Sequence, residues 1–339
     1  MLEVGHRVQL TLHADDPLNL VTDVAPPIHL STTFRFPSDP NDLLPSMDLI
    51  VCDFFPGFIC TGVMSTPRES APNAIRFESV LSLLIGGHTV SYSTGLAALH
   101  AALVLLNPRR ISIGEGYHGS HEVISSLEEG DVILLETPVN PLGTAFSIEQ
   151  FVQKAHSRGA YLMWGTDSVV HSESKYFGCH SDLPCDVLAT KRQDWRKKLF
   201  EDRPAFGSVI GNLGTWLGLR SLRTLDVRVE CVSKSSERLI SWPHQGLRRA
   251  WLREQMPNGF GPVFSIVLQS EDLARGLPSK LHLFQHATRL GDVESLIEWR
   301  ALSDSRVDRM LLRISVRLEN WEGSKNDLFQ TFNSLVLQA

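Results

Sequence analysis

Between residues 70 and 163 the chain alternates helical and extended apolar patterns, and nothing else in it limits the fold so sharply. Residues 70–84 carry helical spacing (Ile75, Val80, Leu81, Leu84) and stop at Gly86-Gly87, a pair that ends helices. A β-rich run from Thr89 to Tyr92 leads through Ser93-Thr94-Gly95 into an apolar helical stretch, Leu96 to Leu106, closed by Asn107-Pro108. The order repeats. An extended Ile111–Ile113 precedes a helical segment near His118–Ser126, then come an extended Val132–Leu135, a helix over Ile148–Ser157 and an extended Ala160–Met163. Strands alternating with helices predict an α/β fold, a mostly parallel sheet covered on both faces. Ligands of such sheets bind beyond the carboxyl ends of the strands, so the residues just after each strand are where chemistry is to be sought.

On either side of this core the pattern changes. Residues 1–69 are rich in Pro, Asp and Ser and read as an extended N-terminal arm. The large α/β domain then spans 70–235. A long helical pattern from about Arg220 to Ile240 joins it to a smaller α+β domain, 236–339, with strands at Val263–Leu268 and Leu311–Val316.

Composition removes several classes of function. A formal net charge of −6 over 339 residues, with Arg109-Arg110 and Lys197-Lys198 as isolated pairs, gives no nucleic-acid footprint. No apolar run is long enough for a membrane span. Five cysteines (Cys52, Cys60, Cys179, Cys185, Cys231) show no CxxC spacing, which suits a reducing compartment and speaks against structural zinc. The first residues lack the layout of a signal peptide, so a cytoplasmic protein is expected.

Four strand ends carry candidate chemistry. Ser93-Thr94-Gly95-Leu96 opens a helix, where free backbone N–H groups can cradle a phosphate or the polar residues can simply cap. Gly114-Glu115-Gly116-Tyr117-His118 places an aromatic ring between glycines, able to stack on a planar ligand or to be an ordinary loop residue. His118 and His121 have metal-ligand spacing but no third ligand nearby. Glu136-Thr137-Pro138-Val139-Asn140-Pro141 is a stiff turn that can present the Asn140 amide. Val169-Val170-His171-Ser172-Glu173-Ser174-Lys175 ends in two hydroxyls and an amine. A lysine there forms a Schiff base if its surroundings lower its pKa; otherwise it is a surface lysine.

These four ends, in this order, resemble the Cys/Met-metabolism family of enzymes dependent on pyridoxal 5'-phosphate (PLP): cystathionine γ-synthase, cystathionine β- and γ-lyases and O-acetylhomoserine sulfhydrylases. The segment from His171 to Asp182 is similar to that family's His-Ser-x-Thr-Lys-Tyr-x-Gly-Gly-His-Ser-Asp block. Pro26-Pro27-Ile28-His29-Leu30-Ser31-Thr32-Thr33-Phe34 and Trp164-Gly165-Thr166-Asp167 resemble the fungal cystathionine γ-synthase-like branch. The resemblance implies PLP-dependent transferase fold type I. It further implies Lys175 as the residue that carries the cofactor and shuttles the Cα proton, and Ser172, Ser174 and the N–H groups of Gly95 and Leu96 on the phosphate. Tyr117 would stack on the pyridine ring and assist proton transfer, with Asn140 beside the ring oxygen. Arg313 would receive the substrate carboxylate, a task that suits a guanidinium. Arg68 would reach a neighbouring subunit's phosphate, which implies a homodimer or homotetramer. The substrates implied are small amino acids: an activated homoserine, cysteine or cystathionine.

The sequence departs from the family at several points. Gly165 stands where the family has an Asp paired with the pyridine nitrogen. Asp167 cannot replace it, being five residues, roughly 16 Å of strand, from Ser172. Only Gly165-Thr166-Asp167 join two runs that a parallel crossover would separate by about a dozen residues, so the runs must fuse, pair differently or leave one displaced. Shorter gaps follow Ile124 and His244. Thr66-Pro67-Arg68 lacks the tyrosine of Tyr-x-Arg, and Thr288-Arg289-Leu290-Gly291-Asp292 replaces Thr-Ser-Leu-Gly-Gly.

A γ-replacing or eliminating enzyme, slowed by loss of the pyridine partner, is therefore the first expectation. A non-catalytic PLP-binding or subunit-pairing homologue, or the truncated product of an active gene, is the second. A nicotinamide-dependent oxidoreductase is disfavoured because no G-x-G-x-x-G follows a strand.

Overall fold

The computed structural model of the chain describes residues 4–18, 22–31, 38–42, 71–113, 132–163, 167–239 and 250–336. Helix α1 (Val4–His13) comes first, then α2 (Pro72–Ile85), β1 (His88–Tyr92), α3 (Gly95–Leu106), β2 (Ile111–Ile113), β3 (Val132–Leu134), α4 (Ile148–His156), β4 (Tyr161–Met163), β5 (Ser168–His171) and β6 (Asp186–Thr190). Helices α5 (Gln193–Ala205), α6 (Asn212–Leu222) and α7 (Leu225–Leu239) follow. The C-terminal part holds α8 (Ala250–Gln255), β7 (Val263–Val267), α9 (Glu271–Gly276), β8 (Gln285–His286), β9 (Leu296–Trp299), β10 (Leu311–Ser315) and α10 (Trp321–Val336).

The first sheet has the order β1-β6-β5-β4-β3-β2. Its β2–β3 and β3–β4 pairings are parallel, as the alternation predicts, and the β4–β5 pairing is parallel as well. Strand β6 runs against both β5 and β1. It is a strand that the alternation did not reveal, because it returns from β5 with no helix between them. All five of its residues are buried, since helices cover both faces. On one face Leu188 packs with Val90, Leu99, Leu103, Met163 and Leu199 of β1, α3, β4 and α5. On the other Val187 packs with Phe77, Leu81 and Leu219 of α2 and α6. The second sheet, β7-β10-β9-β8, buries Ile297, Leu312 and Ile314 under Leu328 of α10.

The short link after Met163 resolves into a displaced strand. β4 and β5 share one register pair, Met163 with Ser168. Because β5 begins where β4 ends, the chain needs no return crossover, which is required only when two parallel strands start at the same level. The carboxyl ends of β2, β3 and β4 are level with one another at Ile113, Leu134 and Met163. Those of β1 and β5 lie further on, since His88 and Ser168 both pair with Thr190. At strand rise, the three steps from Ser168 to His171 set the two halves about 10 Å apart.

Two further sequence expectations change. The segment read as an extended arm contains α1, and just after it Asp15 is fully buried against Arg76 of α2, with Nη2 2.6 Å and Nε 2.8 Å from Oδ2. That ion pair ties the start of the chain to the large sheet's helices. The helical pattern beyond Arg220 is also two helices, α6 ending at Leu222 and α7 starting at Leu225.

Candidate active site

Beside these strand ends lies a trough of roughly 2680 Å³, lined among others by Gly95, Glu136, Asn140, Lys175, Asp186 and Arg313. It exceeds the usual pocket of about 300–1,000 Å³. Lys175 sits on one wall, in the turn that follows β5. The backbone of that turn is closed by Lys175 N–H to Ser172 O (3.1 Å), Gly178 N–H to Glu173 O (2.6 Å) and Cys179 N–H to Lys175 O (2.8 Å). These bonds aim the Lys175 side chain inward, with Nζ 3.4 Å from Ser174 Oγ. The Ser172 and Ser174 hydroxyls are 3.0 Å apart. Burial lowers the amine's proton affinity below the ordinary lysine range; Arg289 and Arg313 act in the same direction, while Asp186 and Asp292 oppose.

Helix α3 starts at the same place. Thr94 caps it, its hydroxyl accepting the Ala97 N–H at 3.1 Å, so the capping alternative holds for Thr94. The N–H groups of a helix's first turn have no partners within the helix, and those of Gly95 and Leu96 lie at this end. The sequence thus brings Gly95, Leu96, Ser172, Ser174 and Lys175 to one lip of the trough.

The other nominated residues divide. Asn140 and Arg313 meet: the Arg313 guanidinium donates from Nη1 to Asn140 Oδ1 at 3.2 Å. Yet Arg313, 3% exposed, is already engaged. Its Nη2 is 2.6 Å from Glu298 Oε2, its register partner across β9–β10, and it also donates to the carbonyls of Thr288 and Arg289. A substrate carboxylate would therefore share this guanidinium with Glu298. Tyr117, Arg68, Gly165 and the His118/His121 pair lie outside the described residues. Among the described residues no cluster of His, Cys, Asp or Glu could hold a metal ion, and no helix is long and apolar enough to cross a membrane.

Asp167 stands where the strand geometry predicts. Its carboxylate accepts the Leu162 N–H at 2.7 Å and pairs with His156 Nε2 at 3.1 Å, at the amino end of β5. The turn bearing Lys175 follows the opposite end of that strand.

Three residues of the site were not foreseen from the sequence. Glu136, held near the Asn140 N–H, is pushed up to about 7 by burial. Gly291 packs directly on the lysine's main chain: a Cβ there would overlap Lys175 Cα, and φ is +97°. Side chains rarely tolerate that conformation, so Gly291→Ala is expected to lower stability by about 1–3 kcal/mol, read as a reduced urea midpoint. An unchanged midpoint would mean that the 288–292 segment does not seat the lysine.

Asp186 is the third. Strands β5 and β6 pair His171 with Val187, so the antiparallel register puts Asp186 opposite Ser172, whose hydroxyl donates to Asp186 Oδ1 at 2.9 Å. The carboxylate also accepts the Glu173 N–H, and burial pushes it up to about 7 despite those bonds and Lys175. Only a hairpin reading of 168–190 would have exposed this pairing, and the long connection between the strands hides it.

Comparison with known proteins gives a consistent picture. Residues 119–333, more than half of the chain, match the family model of the Cys/Met metabolism PLP-dependent enzymes. A cystathionine β-lyase of Bacillus subtilis is 26% identical over 81% of this chain and 87% of its own length. A cystathionine γ-lyase of Dictyostelium discoideum is 27% identical over 91% and 92%. Among solved structures, metB from Corynebacterium glutamicum superposes with a TM-score of 0.82 at 22% identity, covering 98% of this chain and 100% of that one. Yeast cystathionine γ-lyase gives 0.81 at 23%, covering 98% and 99%. These likenesses place the mixed α/β architecture in fold type I.

Proposed function

Since the chain belongs to the Cys/Met-metabolism PLP-dependent enzymes, we propose that it makes or breaks a C–S bond at the side chain of a small amino acid, with Lys175 as the cofactor-bearing amine. The observation that carries this is the convergence of Lys175, Ser172, Ser174 and the start of α3 on one lip of the trough. An amine of lowered proton affinity suits an aldehyde, and hydroxyls beside a helix start suit a phosphate. One group there, Asp186, suits a phosphate only when protonated. With that condition the residues fit the cofactor.

Bound there, PLP would supply an electron sink for a carbanion at the substrate's Cα. The chain's own groups would do the rest. Lys175 Nζ, its proton affinity lowered by burial, would take and return the Cα proton. Asn140 and Arg313 orient the substrate's carboxylate end, Arg313 within the limit that Glu298 sets. The names of its relatives, cystathionine β- and γ-lyases, favour cystathionine as substrate by elimination, and the resemblance of the lysine-bearing segment adds an activated homoserine and γ-replacement. The position of Asp167 supports slow turnover, because no carboxylate from that stretch turns toward the lysine's end of β5. The same observation favours a second reading, a PLP-binding homologue without turnover.

The two are separated by reducing the PLP-incubated protein with borohydride, mapping the labelled peptide and assaying 2-oxobutyrate or pyruvate release from cystathionine. Label on Lys175 with measurable keto-acid supports the enzyme. Label without keto-acid supports the second reading. Failure to label Lys175 removes both.

A further inference from the structure

In the described residues the donors suited to a phosphate already hold an anion of the chain's own. Asp186 Oδ1 takes the Ser172 hydroxyl at 2.9 Å, Ser172 in turn is 3.0 Å from Ser174 Oγ, and the Glu173 N–H also points to the Asp186 carboxylate. Its other oxygen, Oδ2, lies so close to the first residue of α3 that a Cβ on Gly95 would overlap it. A buried carboxylate (6% exposed) therefore occupies the corner where two hydroxyls, a turn N–H and the amino end of a helix converge. Each of these donors favours a negative charge, and two anions cannot share them without a large electrostatic cost in so dry a place.

We propose that Asp186 is an internal competitor for the phosphate cradle, so that PLP enters only when this carboxyl is protonated or displaced. The inference rests on the functional reading given above and adds a regulatory element to it. Its pH sense follows from the surroundings. From the β5 turn, Lys175 and the Glu173 N–H favour the ionised carboxylate, while Asp186 in turn adds to the burial that pushes the Glu173 carboxyl up. Tyr92, the register partner on β1, sends its hydroxyl away to Leu199 O. The single titratable side chain of α3, His100, packs on Phe206. Arg289, Asp292 and Arg313 of the C-terminal part act on Lys175, and the Glu78–Arg203 pair of α2 and α5 acts on the neighbouring Cys185. Burial dominates for Asp186, whose carboxyl titrates at about 7. Below that pH it is neutral and can donate to a phosphate oxygen; above it, it repels the phosphate.

The experiment is equilibrium dialysis of the full-length apo chain against PLP, and separately against pyridoxal, which lacks the phosphate, at pH 6 and pH 8. For the wild type, PLP affinity is expected to fall about tenfold across that interval, as linkage to one proton requires. Asp186→Asn keeps an acceptor for Ser172 but carries no charge. It is expected to bind PLP about tenfold more tightly than wild type at pH 8 and to lose most of the pH dependence, while pyridoxal binding is the same in both proteins. If Asp186→Asn and wild type bind PLP alike at both pH values, the competitor role is overturned and the functional reading stands. If pyridoxal shows the same pH fall as PLP, the effect originates at Lys175 and the proposal is overturned. If neither protein binds PLP at either pH, while circular dichroism shows both folded, the functional reading fails first and takes this inference with it.

Discussion

Arg203→Met is expected to lower the free energy of unfolding by about 3–5 kcal/mol, the usual effect of stranding one partner of a buried ion pair. Arg203 is 1% exposed, and its Nη1 lies 2.6 Å from Glu78 Oε1. The same nitrogen donates to Ser91 O at 3.0 Å, and Glu78 Oε1 accepts both the N–H and the hydroxyl of Ser91, at 2.9 and 2.6 Å. One charge pair thus binds α2, β1 and α5 together behind the strand that leads into α3. Methionine fills much of the arginine's volume but leaves the carboxylate without its cation. Adding Glu78→Gln removes that charge and keeps an oxygen for Ser91, so the double variant should recover more than half of the loss in urea unfolding. Purely additive losses would show that the two residues do not interact.

The sequence disclosed the site in proportion to how local each contact is. Lys175, Ser172 and Ser174 lie within one turn, so a short motif finds them. Gly95 and Leu96 lie at a helix start, which a strand-to-helix boundary marks. The alternation of patterns likewise gave β1 through β4 and the helices α2, α3 and α4 nearly to the residue, while the helical segment expected near His118–Ser126 lies outside the described residues. What stayed hidden depends on pairings between distant segments. Strand β6 is five residues with an acidic start, and without its antiparallel register Asp186 reads as a turn residue. Glu298 meets Arg313 only because β9 lies beside β10, and that pairing turned an apparently open carboxylate receptor into an engaged one. The four-residue link between Met163 and Ser168 looked like a missing piece of fold. The stagger of β4 and β5 shows that the sheet absorbs it.

Lys175→Ala is expected to reduce keto-acid release by about 10²–10⁴-fold, the range for removing a positioned acid–base group, and to abolish the borohydride label at position 175. Lys175→Arg separates charge from proton transfer. A guanidinium keeps the cation beside Asp186 and Asp292 but does not deprotonate, so the loss should match that of alanine. The stability of the apo protein supplies an independent sign. Burial lowers the folded-state pKa of Lys175, so between that value and the ordinary one near 10.4 the unfolded chain binds more protons. Stability contributed by this group must rise with pH across that window, and Lys175→Met must lack the rise. A variant without the amine that keeps both the pH slope and the activity would mean that Nζ is solvated and idle. In that case the bonds closing the turn from Ser172 to Cys179 hold a loop and do not aim a reactive nitrogen.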